Sequence, residues 1–98
     1  MIVVRDLFHI QPDQMKKAKE LLGEGRAILR SQGYATLRAM TDLTGEYYTL
    51  VLESEYQNLA EFESATKTVQ SNARWQRFYP KLRKLILGGR REIFTLVE

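Results

Sequence analysis

From Ile2 to Ile10 the apolar residues Val3, Val4, Leu7, Phe8 and Ile10 fill a run too short for a helix, and the segment reads as a strand. Gln11-Pro12 stops it, and Pro12 suits the first position of a helix, where its missing N–H has no intrahelical partner to lose. The period then changes. Met15, Ala18, Leu22, Gly25 and Leu29 recur at spacings of three and four, Leu21 and Ile28 widen the stripe, and lysine, arginine and glutamate cover the other side. This is the pattern of an amphipathic helix. Gly33 suits its end, in a left-handed conformation. Gly25 costs the helix on the order of 1 kcal/mol relative to alanine, so its place on the apolar stripe implies close approach to the sheet.

Tyr34 to Thr41 and Glu46 to Tyr56 read as two further strands, joined by Asp42-Leu43-Thr44-Gly45, with a glycine where a hairpin wants positive φ. Asn58 followed by Glu61 is a helix start of the capping-box kind, and Leu59, Phe62, Thr66 and Val69 continue at helical spacing. Ser71-Asn72 interrupts that run; Trp75, Phe78, Tyr79, Leu82, Leu85 and Ile86 resume it, with a kink or restart expected at Pro80. Gly88-Gly89 closes the helical region, and Arg90 to Val97 is the last strand. The order βαββαβ specifies an α+β, ferredoxin-like domain over residues 1–98: a four-stranded antiparallel sheet in strand order 4-1-3-2, with the helices on one side.

Splitting each strand by parity gives two faces. The helix-facing set is Val4, Phe8 and Ile10, with Leu37 and Ala39, Tyr48, Leu50 and Leu52, and Phe94 and Leu96. The opposite set is Val3, Leu7 and His9, with Thr36, Arg38 and Met40, Tyr47, Thr49 and Val51, and Ile93, Thr95 and Val97. A face turned to water should be mostly polar. This one holds enough large apolar groups to imply a covering partner, and its polar members imply an interface that is not dry. The expectation is a homodimer formed through the open sheet face.

Composition narrows the chemistry. The chain of 98 residues suits one domain, and 44% hydrophobic with 28% charged residues is the mix of a globular protein. With no cysteine, thiolate chemistry and disulfides are excluded, and a cytoplasmic location is expected. No apolar run approaches the ~18 residues of a membrane span, and Arg5 within the first strand argues against a signal peptide. His9 is the only histidine, so a transition-metal site has no plausible ligand set, and neither metal nor cofactor is expected. Residues 1–64 carry seven basic and ten acidic groups, and residues 65–98 carry eight and two, a balance of −3 against +6. A basic third of this kind can attract anions, though Lys81, Arg83 and Lys84 also suit the end of a solvated helix, where cations complement its dipole.

The stretches HIQPDQMKKA (9–18), DLTGEYYTLVLESE (42–55) and GRREIF (89–94) resemble NIPSNAP-like proteins of the dimeric α/β-barrel superfamily. The resemblance implies a ferredoxin-like protomer whose sheet faces that of a second copy, as the parity argument does. The superfamily also holds cofactor-independent antibiotic-biosynthesis monooxygenases, haem-degrading enzymes and muconolactone isomerases, and shared fold does not choose among them. Similarity to the monooxygenases singles out Asn72, Trp75 and Tyr79, which fall near one helix face, with Arg90 entering the last strand. Such enzymes use these residue types to hold an aromatic substrate that itself reacts with oxygen. The simpler reading makes Asn72 a helix cap and Trp75 and Tyr79 core anchors. Haem degradation would need a histidine on the helix near tryptophan, and His9 is on the first strand, where it reads as a hydrogen-bonded structural residue.

An RNA-recognition module shares the βαββαβ order, but its third strand carries a basic-Gly-aromatic pattern. Here that strand is Glu46 to Glu53, acidic at both ends with no internal glycine, which argues against nucleic acid. The reading reached is a homodimeric barrel protein that binds a small organic molecule. Asn72, Trp75, Tyr79, Tyr48 and Arg90 are the ligand-binding candidates, expected between the second helical region and the sheet.

Overall fold

The helical period that begins at Met15 is realised as helix α1, Met15–Ser31, lying between strands β1, Ile2–Ile10, and β2, Thr36–Thr41, in the computed structural model, which describes residues 1–34 and 36–98. Strand β3, Thr49–Tyr56, helices α2, Leu59–Gln70, and α3, Ala73–Arg83, and strand β4, Ile86–Thr95, complete the chain. The four strands form one antiparallel sheet in the order β2-β3-β1-β4, the ferredoxin-like arrangement. No helix is long and apolar enough to cross a membrane among the described residues.

Local signals set most element ends. Gly33 has φ 75° after the last turn of α1, and Gly45 has φ 106° between β2 and β3. Asn58 Oδ1 accepts from the Glu61 N–H at 2.9 Å, and Glu61 Oε2 accepts at 2.6 Å from the N–H of Gln57, the residue before the cap, in a variant of the capping box. At the Ser71-Asn72 break, Asn72 Oδ1 accepts from the Trp75 N–H at 3.0 Å and starts α3 as a separate helix.

Three expectations fail, and of the kink or restart expected at Pro80 the restart is excluded. Pro12 does not open α1; it stands in a turn with Asp13 at φ 67°, before a helix that begins at Met15. Pro80 does not restart a helix, since α3 runs through it to Arg83. Gly88-Gly89 does not end a helix either. Both glycines lie inside β4, where a Cβ at Gly89 would collide with the Leu7 carbonyl, so the strand passes β1 closely there. Gly25 meets α3 rather than the sheet: a Cβ there would stand 2.8 Å from the ring of Phe78.

The early start of β4 reverses its parity. Ile93 pairs with Val4, Arg91 with Asp6 and Thr95 with Ile2, which puts those three on the helix side. Phe94 pairs with Val3, Glu92 with Arg5 and Arg90 with Leu7, on the open side. The assignments of Phe94 and of Ile93 and Thr95 are therefore exchanged. Leu96 and Val97 lie beyond the strand, as do Tyr47 and Tyr48 before β3. The pairings of β1 with β3 and of Ala39 and Met40 with β3 follow the expected faces. The faces assigned to Thr36 and Leu37 lie outside the described side chains.

The core on the helix side comes in two parts. Ile10, Ala18, Leu21, Ile28, Leu50, Phe78 and Leu82 form the larger, beneath α1 and α3. Val4, Tyr56 and Phe62 form the smaller, beneath α2. Between them β1 presents Asp6, the one charged residue in its helix-facing row of Ile2, Val4, Asp6, Phe8 and Ile10.

Candidate functional site

A cavity of about 300 Å³ occupies the gap between the two parts of the core, at the lower end of the usual size for a small-molecule pocket. Its floor is the middle of the sheet: Asp6, Phe8, Leu52, Ser54 and Arg91. The end of α1 reaches it through Leu29, the segment after α1 through Tyr34, and α2 through Thr66, Val69 and Gln70. Helix α3 contributes Trp75, Tyr79 and Leu82.

The break between α2 and α3 sets the aromatic wall. Because Asn72 caps α3, Trp75, Phe78 and Tyr79 fall in its first turns at spacings of three and four. Trp75 and Tyr79 stack with ring centroids 5.6 Å apart and planes 19° apart, and Trp75 leans on Phe78 at 5.4 Å. Phe78 is sealed in the larger core, while Trp75 is only partly buried and faces the cavity.

The opposite wall is polar. Arg91 Nε donates to Asp6 Oδ1 at 2.6 Å, and the guanidinium carbon lies 5.1 Å from the centre of the Phe62 ring. Asp6, by this hydrogen bond, raises the Arg91 pKa above its ordinary value. The Tyr56 ring meets Tyr34 edge-on at 5.6 Å and lies tilted against Phe62 at 5.2 Å. Tyr56 stands behind the lining residues rather than among them, and its fully buried hydroxyl has no partner at hydrogen-bonding geometry among the described residues. Burial first, then the neighbouring Tyr34, pushes the Tyr56 pKa up, so the group stays a neutral O–H donor. The neighbours that shift it include Tyr34, Ser54 and Asp6, all of which line the cavity.

Of the five residues singled out from the sequence, Trp75 and Tyr79 meet at this cavity. Asn72 spends its side-chain oxygen on the α3 cap and is not among the lining residues. Tyr48 stands in the loop before β3 with φ 59°, its ring beside Tyr47. Arg90 pairs across the ladder with Leu7 and donates to Glu92 at 3.2 Å, on the far side of the sheet. Asp6 and Arg91 escaped the sequence reading. The signal for Asp6 was there, a carboxylate at the centre of an apolar parity row; Arg91 required the register of β4, which runs opposite to the parity read from Arg90 onwards.

On the open face the central charge is Glu53. It is 2% exposed, covered by Arg5 at 2.8 Å and Arg38 at 2.6 Å. The hydrogen bond from Arg38, with Arg5 adding to it and burial opposing, holds its pKa below the ordinary value. Arg5 also lies over the Phe94 ring at 5.3 Å. His9 Nε2 stands 3.4 Å from Glu46 Oε2. No cluster of metal-ligating side chains occurs among the described residues.

The sequence matches no protein-family model and no curated protein. Solved structures do match. A NIPSNAP family protein from Agrobacterium tumefaciens superposes with TM-score 0.94 at 21% identity, over 99% of this chain and 86% of its own. A NIPSNAP domain protein from Burkholderia xenovorans gives 0.93 at 14% identity, over 99% and 95%. An antibiotic biosynthesis monooxygenase gives 0.70 at 15% identity over the full length of both chains. The chain therefore has the fold of the NIPSNAP proteins, in agreement with the resemblance read from its sequence, and a monooxygenase of the antibiotic-biosynthesis type is built on a related plan.

Proposed function

We propose that the protein binds a small, flat organic molecule between its helices and its sheet. The observation that carries this reading is the gap between the two parts of the core. There a stacked Trp75–Tyr79 wall shares one cavity with Tyr34, Ser54 and the Asp6–Arg91 pair. Apolar walls with a few convergent polar groups are the usual make-up of an organic-ligand site. A purely structural core would gain by filling this space, since a void costs the dispersion contacts its lining would otherwise make. The oxygenase alternative, acting on an aromatic substrate, finds Trp75 and Tyr79 in place, but Asn72 is engaged elsewhere and Arg90 lies on the opposite face.

The open face supports the second half of the proposal, a homodimer. Phe94 and Met40 are 47% and 37% exposed there, with Val3, Leu7 and Val51 only partly covered. The Arg5–Glu53–Arg38 cluster at the centre already has its carboxylate paired, so a second copy can cover it without stranding a buried anion.

Trp75 is the only tryptophan, so its fluorescence reports on the cavity alone. A thermal-shift and fluorescence screen of aromatic small molecules against the wild type and Trp75→Phe tests the site. A ligand at a hundred times its Kd adds about 2.7 kcal/mol of stability. The expected result is a hit that quenches Trp75, and a Trp75→Phe protein whose affinity for it falls tenfold or more while its own Tm falls by a few degrees. Lowered stability with unchanged affinity contradicts the reading.

A further inference from the structure

We propose that the ligand of this cavity is an aromatic or similarly flat organic acid, its ring against Trp75 and Tyr79 and its anionic group on the guanidinium of Arg91. This rests on the binding role proposed above and adds the ligand's charge and orientation. The cavity adjoins a more open depression between the end of α3 and β4, and the two share Asp6, Phe8, Tyr79 and Arg91 as walls. The depression adds Arg83 from the last turn of α3. A molecule entering from this side passes Arg83 and Arg91 before it reaches the aromatic wall.

The charges favour an anion. Asp6 is matched by Arg91, whereas Arg83 at the mouth makes no ion pair among the described residues. The chain from residue 65 onwards carries eight basic and two acidic groups, so the surrounding field has the same sign. A guanidinium has five N–H donors, and a carboxylate can take at most two of them from one edge. Asp6 is the only side chain hydrogen-bonded to Arg91 among the described residues, which leaves donors for a second acceptor. Asp6 on one side and the Phe62 ring on the other fix the guanidinium in place, so little side-chain entropy remains to be lost on binding. The interior end supplies further donors. Ser54 and Tyr34, each carrying a hydroxyl, line the cavity. Such donors complement a ligand rich in acceptors, as an ionised acid is.

The experiment is isothermal titration of matched pairs: benzoate and benzamide, cinnamate and cinnamamide, 1-naphthoate and 1-naphthamide. Each amide keeps the ring and the shape and removes the charge. At least one acid should bind the wild type tenfold or more tightly than its amide. Arg91→Gln should remove that preference while leaving the weak binding of the amide. Since the substitution leaves Asp6 without its partner, the double variant Asp6→Asn, Arg91→Gln serves where the single one is unstable, and it too should show no preference. Equal binding of acid and amide by the wild type overturns the proposal and leaves the binding role standing. Failure of all six compounds to bind overturns both. A preference that survives loss of Arg91 overturns the placement of the anionic group.

Discussion

On the helix side of the sheet the central charges are Asp6 and Arg91; on the open side they are Glu53, Arg5 and Arg38. Both sets sit mid-strand and both are ion-paired, yet their surroundings differ. Asp6, with Arg91 beside it, interrupts a row of core residues in β1, and the core divides around the pair, leaving a space lined in part by the stacked Trp75 and Tyr79 rings. Glu53 is closed over by its own arginines, and Arg5 in turn lies over the Phe94 ring. A charge placed under helices keeps side chains from closing on one another and opens a cavity. The same charge on a bare sheet neutralises itself and leaves the surrounding apolar groups available to a partner. The proposed roles follow this division, a small ligand on one face and a second copy of the chain on the other.

The largest contrast between the faces is in stability. Phe78 is among the largest fully buried side chains and fills the space against Gly25, so Phe78→Ala should cost about 3–5 kcal/mol in urea unfolding. Val51→Asp, on the open face, should change the unfolding free energy of the protomer far less and convert the proposed dimer to monomer in sedimentation. A carboxylate buried unpaired in the interface costs the association several kcal/mol. A monomeric wild type, or a variant that dimerises unchanged, contradicts the assignment of that face.

A smaller effect separates the faces by pH. Glu53→Ala leaves Arg5 and Arg38 facing each other, and because both arginines are more than a third exposed the cost is about 1–2 kcal/mol at neutral pH. The folded pKa of Glu53 is lowered, so this contribution is complete above the ordinary glutamate value of about 4.3 and is lost as pH falls through the lower folded value. The stability difference between wild type and variant should shrink when unfolding is repeated on the acid side of that value. A difference that stays constant into strong acid shows that the ion pairs contribute nothing.

What could be read from the chain follows the range of the interactions involved. The stripe of α1, the Asn58 and Asn72 caps and the positive φ of Gly33 and Gly45 depend on neighbours a few residues away, and each is where the pattern placed it. Strand β4 depends on a distant partner. Ile93 and Phe94 are adjacent and both apolar, so alternation gives no parity, and Gly88-Gly89 has the composition of a turn. Only the ladder with β1, which carries Gly89 past the Leu7 carbonyl, settles which way Arg90 and Arg91 point. The cavity was legible in part for the same reason. Trp75 and Tyr79 share a helix face within one element, whereas Asp6, Ser54 and Arg91 come together only through pairing across three strands.

The most direct test of the division between the faces is amide and indole chemical-shift mapping by NMR during titration with an aromatic acid that quenches Trp75. The largest shifts should fall on Asp6, Tyr34, Ser54, Arg91 and the Trp75 indole, with Leu7, Thr49 and Val51 on the open face little changed. Shifts concentrated on Leu7, Thr49 and Val51, with the Trp75 indole unmoved, would place the ligand on the wrong side of the sheet and contradict the account.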